Sequence, residues 1–320
     1  MLEYITLSIN ITMPFILLAL LGLFMKRRGM ISDTFVAQGN KVIFYFAIPV
    51  TIFNNIHSAD LSNVFDLPFL IFNSVWLIVF FLATWWFAVI FIKDKEIVPS
   101  FVNSAYRSSL SVVAPPLFML MFIDPGASDI LSKGILTVSV LLILSYVTAS
   151  ILFAVHNPSS QKGNLLDILT SIAKNPIIIG VVIGLAFNVL GWTLPVFSSN
   201  TVNSLGGLAM PLAMICVGGN LTFHGFDIRF KYVLISAFIK LFIMPISSVI
   251  VALLFGFTGS DLTIIMILNA LPMAVGAYVM QAELGGDSYI GASVLMLTMT
   301  LSALTLTFYI FLFRIMGFLA

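Results

Sequence analysis

The chain has 320 residues, of which 60% are hydrophobic and only 8% charged, and its mean hydropathy is +1.14. That composition lies far outside the range of an ordinary soluble domain, so the medium in which this chain folds is lipid. The formal net charge of +1 is uninformative as a total; where the charges fall along the chain carries the information.

A spanning helix needs roughly 20 apolar residues, and such runs recur with no polar stretch long enough for a separate soluble domain. They predict spans at about 5–25, 36–57, 67–92, 98–122, 130–155, 168–190, 200–222, 231–256, 262–284 and 289–316. The start, Met1 to Ile5, lacks the basic region and small-residue cleavage site of a signal peptide, so the first run is expected to remain a span. A single cysteine, Cys216, makes no internal bridge. The expectation is one all-α membrane unit of ten transmembrane helices.

Two halves share a plan. Met13-Pro14 recurs as Asn175-Pro176, Gly22 as Gly184, and Phe46 to Val50 as Leu208 to Leu212, each pair 162 positions apart (Pro14 to Pro176, Pro49 to Pro211). The first five-helix repeat is read as 1–158 and the second as 165–320, with a turn-prone linker at 159–164. An odd number of spans turns the second copy over, giving the inverted repeat on which many secondary carriers are built. The basic residues Lys26, Arg27, Arg28, Lys93, Lys95, Lys162, Lys174, Arg229 and Lys231 fall in odd-numbered loops, whereas Lys133 and Arg314 lie on the other side. The positive-inside rule then puts both termini outside the cytoplasm of a plasma-membrane protein.

The fourth span contains Arg107, Ser109 and Ser111 ahead of Pro115-Pro116, and the ninth contains Asn269, Pro272, Gly276 and Tyr278. Proline removes a backbone donor and clashes with the preceding turn. Both helices are therefore expected to break and to meet near the midplane, where half-helix ends face a bound solute. A continuous, kinked helix is the alternative. Lys41, Arg107 and Lys240 are cations inside predicted spans, with no acid near the centre of one. They call for partners or an anionic solute, or they snorkel to an interface. Asn54, Asn55 and Asn220, together with Tyr278 and Gln281, are candidate solute ligands, the alternative being ties between helices. Gly180 and Gly184 form a Gly-x-x-x-Gly pair, read as a close helix contact. No P-loop, nucleophile elbow or metal-spaced cluster occurs, so neither an enzyme, a cofactor nor a metal is expected.

Lys174-Asn175-Pro176 with the apolar run to Gly191, the stretch Leu205 to Leu212, and Ala270-Leu271-Pro272 continuing through Tyr278 to Asp287 resemble the auxin efflux carrier family, which includes bacterial malate and malonate permease-like proteins and plant PIN carriers. The resemblance covers nearly the whole chain. It implies two crossed, broken helices, four and nine, and alternating-access transport of an organic anion, often a carboxylate. The family pattern at the first crossing looks like Arg-x-Asn-x-Gly-x-x-Gly-x-Pro. Arg107 and Pro116 match it, while Ser109, Ser111 and Ala114 depart from it. Gly276 stands where many members have asparagine, and the long central loop of many plant members is absent. The expected partners are a small organic anion and the lipid bilayer, with no nucleic acid and with a homodimer as the assembly to test. A sodium-coupled symporter of the bile-acid carrier type and a non-transporting receptor or scaffold are the competing readings.

Overall fold

The computed structural model describes residues 2–57, 66–110, 113–114, 117–118, 128–156, 170, 173–220 and 229–318. Their regular elements are helices: α1 (Leu2–Arg27), α2 (Asp33–Val42), α3 (Ile48–His57), α4 (Leu67–Phe91), α5 (Val98–Tyr106), α6 (Ser128–Val155), α7 (Pro176–Val189), α8 (Val196–Gly207), α9 (Ala209–Asn220), α10 (Phe230–Phe238), α11 (Met244–Leu254), α12 (Gly259–Ala270), α13 (Val275–Glu283) and α14 (Ser288–Ile315). Among the described residues, six segments are long and apolar enough to cross a bilayer: Asp33–Asn54, Leu67–Phe91, Lys133–Val155, Val196–Asn220, Phe230–Leu254 and Ser288–Ile315. Two shorter apolar helices, α7 and α12, accompany them. The linker at 159–164 lies outside the described residues.

Prolines shape these segments in two ways. π-Turns at Ile43–Ala47 and Ile239–Ile243 join α2 to α3 and α10 to α11, and each is followed two residues later by proline, Pro49 and Pro245. A proline leaves the carbonyl four residues back without its helical donor, and a widened turn accommodates the gap. For Pro245 that carbonyl is Leu241's, and the Tyr309 hydroxyl donates to it at 2.8 Å. In the expected spans at 98–122 and 262–284 the helix stops instead: α5 ends at Tyr106 and α12 at Ala270. Helix α7 begins at Pro176, later than about 168, because the Asn175 side chain accepts the Ile177 N–H at 2.9 Å and proline suits the first turn.

Glycine sets the closest helix contacts. Gly22 of α1 lies against the backbone of Ile215 in α9, and Gly218 of α9 against Ala19 of α1, so closely that neither position has room for a Cβ. On the other flank, a Cβ at Gly180 of α7 would stand 2.6 Å from the Pro49 carbonyl oxygen, and one at Gly184 would stand 3.1 Å from that of Phe53. The Gly-x-x-x-Gly pair is thus a close contact, as expected. Shifting by 162 positions converts Gly22/Ile215 into Gly184/Phe53, so the two flanks repeat one contact with the halves exchanged.

Ion pairs tie the segment ends. Lys133 bonds Asp66 at 2.6 Å and Asp261 at 2.7 Å, joining α6 to the starts of α4 and α12, and it rests 4.3 Å from the centre of the Phe69 ring. Its hydrogen bond holds the Asp66 carboxyl below its usual range. Arg229 pairs with Asp287 at 3.1 Å, tying the start of α10 to the start of α14.

Candidate functional site

The two interrupted segments meet. Beyond α5, Arg107 is extended, and beyond α12, so is Leu271. The Ser109 N–H donates to the Pro272 carbonyl at 2.9 Å and the Ala274 N–H to the Arg107 carbonyl at 3.3 Å, so Ser108 and Met273 form an antiparallel bridge. Each interruption thus satisfies backbone groups of the other, which an apolar medium demands. Both expected spans are interrupted, the second just ahead of Pro272 and the first at Arg107, eight residues before Pro115; Ser111, Pro115 and Pro116 lie outside the described residues.

Lys240 sits at this junction. It lies in the second π-turn, is 0% exposed, and donates to the Ser108 hydroxyl at 2.5 Å, to the Asn269 carbonyl at 3.2 Å and to the Met244 sulfur at 3.1 Å. An ammonium has three donors, and each has an acceptor here. The Asn269 carbonyl is available because Met273, the residue four positions on, turns its N–H to the Thr298 hydroxyl at 3.2 Å. The Asn269 side-chain amide donates to Ile265 of its own helix at 2.8 Å.

Arg107 is 2% exposed but differently engaged. Its guanidinium lies 4.2 Å from the centre of the Tyr146 ring, and one terminal nitrogen approaches the Met280 sulfur at 3.6 Å. Its Nε has no partner among the described residues, and neither does the carbonyl oxygen of the Asn73 side chain. Arg107 and Asn73 line a void of about 10 Å³, the size of one water. No carboxylate pairs with Arg107 or Lys240 among the described residues. Lys41 is exposed, as a snorkelling residue would be.

Tyr146 also lines a cavity of about 250 Å³, together with Thr51, Gly207, Met210, Val275 and Gly276. Val275 and Gly276 open α13, so the first turn of that helix, with its partial positive charge, faces the cavity. A Cβ at Gly276 would stand 2.6 Å from the Tyr146 hydroxyl. Gly276 therefore keeps the helix start bare and the tyrosine in place.

The other expected ligands serve as ties. The Tyr278 hydroxyl accepts from Asn220 at 2.6 Å and Asn40 at 3.3 Å and donates to the Cys216 carbonyl at 3.4 Å, so its hydrogen-bonding capacity is filled. The Gln281 amide donates to the Asp287 carbonyl at 2.5 Å, and its oxygen accepts from Asn103 at 3.3 Å and Ser104 at 3.4 Å. Asn54 donates to Asn203 at 2.7 Å. Asn55 belongs to α3, but its side chain is outside the described part. The sequence reading missed Tyr146, although the polar patch Ser145-Tyr146-Val147-Thr148 in an apolar span was a signal. It also missed Asn73.

Interrupted helices that pair with each other inside an apolar bundle occur in many membrane transport proteins. Residues 8–310 match the family described as membrane transport protein. The chain belongs to the membrane transport protein family. This bears out the resemblance to auxin efflux carriers. The chain is 24% identical over 286 residues to the uncharacterized transporter YfdV of Escherichia coli (strain K12), covering 87% of this chain and 89% of that one. It is 22% identical over 305 residues to the uncharacterized transporter MJ1031 of Methanocaldococcus jannaschii, covering 93% and 96% respectively. Family membership and relatives along most of the length make transport the function to be derived from this site.

Proposed function

We propose that the chain is a secondary carrier moving a small organic anion, a carboxylate, across the plasma membrane by alternating access. Arg107 carries this reading. A guanidinium in the membrane interior costs on the order of 3 kcal/mol on insertion scales. This one is buried with no carboxylate partner and with an unused Nε–H among the described residues. It lies against the tyrosine that walls the cavity. A carboxylate entering that cavity meets the positive end of α13, with the Arg107 charge just behind the Tyr146 ring to favour it. Gly276 in place of a side-chain amide leaves recognition to backbone N–H groups and to the cation.

Ten spans arranged as two inverted five-helix repeats, 1–158 and 165–320 with the linker 159–164, suit this mechanism. The exchanged glycine contacts of the two flanks support the arrangement, since a two-fold relation requires that every contact between halves occur twice with partners swapped. Interruption of both α5 and α12 at their meeting point supports it too. One set of helices then rocks against the other around the crossing, exposing the cavity to each side in turn. The loop cations favour both termini outside; a C-terminal reporter active only in the cytoplasm should stay silent, and a strong signal would overturn that topology.

Uptake of labelled organic acids into proteoliposomes tests the function. The expected result is saturable flux of a carboxylate, with apparent Km raised about tenfold or more in Arg107→Gln, as for loss of a charge-assisted hydrogen bond, at normal insertion. Absence of flux for every organic acid, or an unchanged Km in the variant, would sink the reading.

A further inference from the structure

We infer that Lys240 is a tethered cation occupying the coupling-ion position of this carrier, so that the crossing is neutralised without sodium. In carriers built from interrupted helices, unwound carbonyls and the C-terminal ends of half-helices, with their partial negative charge, are what coordinate a coupling cation. Here the C-terminal ends of α5 and α12 converge on one bridge, and an oxygen beside each, a side-chain hydroxyl and a helix-end carbonyl, is held by an ammonium. Lys240 Nζ reaches the Ser108 hydroxyl just past α5 and the Asn269 carbonyl in the last turn of α12. Both oxygens face a positive charge supplied by a third segment.

Three features separate this role from snorkelling and from solute binding. The side chain is 0% exposed, so its charge does not reach an interface. Its third donor is directed at the Met244 sulfur, so the ammonium has no donor left for a solute, whereas Arg107 keeps Nε–H unused. Lys240 also lies within the π-turn Ile239–Ile243, a local widening that sets its direction and is a recurrent mark of functional positions in helices. The division of labour is then clear: Arg107 serves the solute and Lys240 serves the crossing. This rests on the carrier reading for its meaning in transport, but the occupancy of the cation position is measurable without any flux.

The test compares melting temperatures of purified wild type and Lys240→Ala in NaCl and in choline chloride at equal ionic strength. Wild type is expected to melt at the same temperature in both salts. Lys240→Ala is expected to melt several degrees lower and to regain part of the loss in NaCl only, because a free cation enters the vacated position between Ser108 and Asn269. A wild type stabilised by NaCl over choline chloride, or a Lys240→Ala protein indifferent to both, overturns the inference. Where the alanine variant does not accumulate, Lys240→Met, which keeps the apolar stem, replaces it: melting below wild type supports the role, and melting with wild type overturns it. If no organic acid is transported, the carrier reading fails while these melting results still decide the cation position. If flux is found, equal rates in sodium and choline media are expected, and loss of uptake in choline rejects the tethered cation.

Discussion

The glycine-packed flanks and the crossing are both places where backbones come close, yet they are built in opposite ways. At the flanks, α1 lies on α9 and α3 on α7, and closeness comes from missing side chains at Gly22, Gly180, Gly184 and Gly218. Such glycine contacts gain chiefly dispersion. At the crossing, helices stop, and closeness comes from peptide groups of α5 and α12 that need each other. The flanks are suited to rigid bodies, since close backbone packing dominates them and the polar ties across α3 and α7, from Asn188 to the Ile56 and His57 carbonyls, sit at one end. The crossing holds the groups that can exchange partners, and there the buried charges collect.

The contrast is sharpest where a side chain is added. Gly218→Leu should have the largest effect, because its Cβ meets the Ala19 backbone, which has no rotamer to yield. Overpacking a well-filled contact costs about 1–3 kcal/mol or more. The expected outcome is loss of monodisperse protein on size-exclusion chromatography; a normal yield and melting temperature would show that the flank is not a rigid contact.

Gly276→Ala should do less to folding and more to function. Its Cβ meets the Tyr146 hydroxyl, a side-chain tip that can shift, and shifting it disturbs the ring beneath Arg107. Uptake is expected to fall several-fold at near-normal yield, and the double variant Gly276→Ala/Tyr146→Phe, which removes the clashing oxygen, should recover part of it. No recovery in the double variant would break the proposed link between Gly276 and Tyr146.

The smallest effect belongs to the ion cluster at the segment ends. Lys133 lowers the folded-state pKa of Asp66 below the usual aspartate value. A carboxyl with a depressed pKa adds stability above its unfolded pKa and loses it as pH falls through the folded one. Melting temperature should therefore decline modestly as pH drops from about 5 into the region below 4, and the Asp66→Asn variant should show a shallower decline there. Identical profiles would show that the pair does not contribute.

Much of this was legible in the sequence for a physical reason. Proline inside an apolar run signals a defect in helix bonding, and Pro272 marks the second interruption in that way, whereas the first comes at Arg107, eight residues before Pro115. Proline does not reveal which remedy the fold adopts. Pro49 and Pro245 are accommodated by π-turns, and the Leu241 carbonyl behind Pro245 is served by Tyr309, a partner remote in the chain. Buried cations were legible because charge in lipid always needs an explanation, but their roles were not. Lys240 and Arg107 look alike in sequence and differ in their partners and in how many donors are used. Amides were the weakest guide: Asn220 and Gln281 are spent on Tyr278, Asn103 and Asp287. The cavity was invisible, since Thr51, Tyr146, Gly207 and Gly276 converge only through tertiary packing.

The bridge between Ser108 and Met273 also constrains how the protein is made. It joins positions in opposite halves of the chain, and such non-local pairing forms only after the intervening segment exists to be closed into a loop. While synthesis proceeds, the Ser109 N–H and the Arg107 carbonyl wait without the partners that Pro272 and Ala274 later supply. The ribosome thus delivers a first half that is threaded but unfinished, and assembly is completed by one of its last segments.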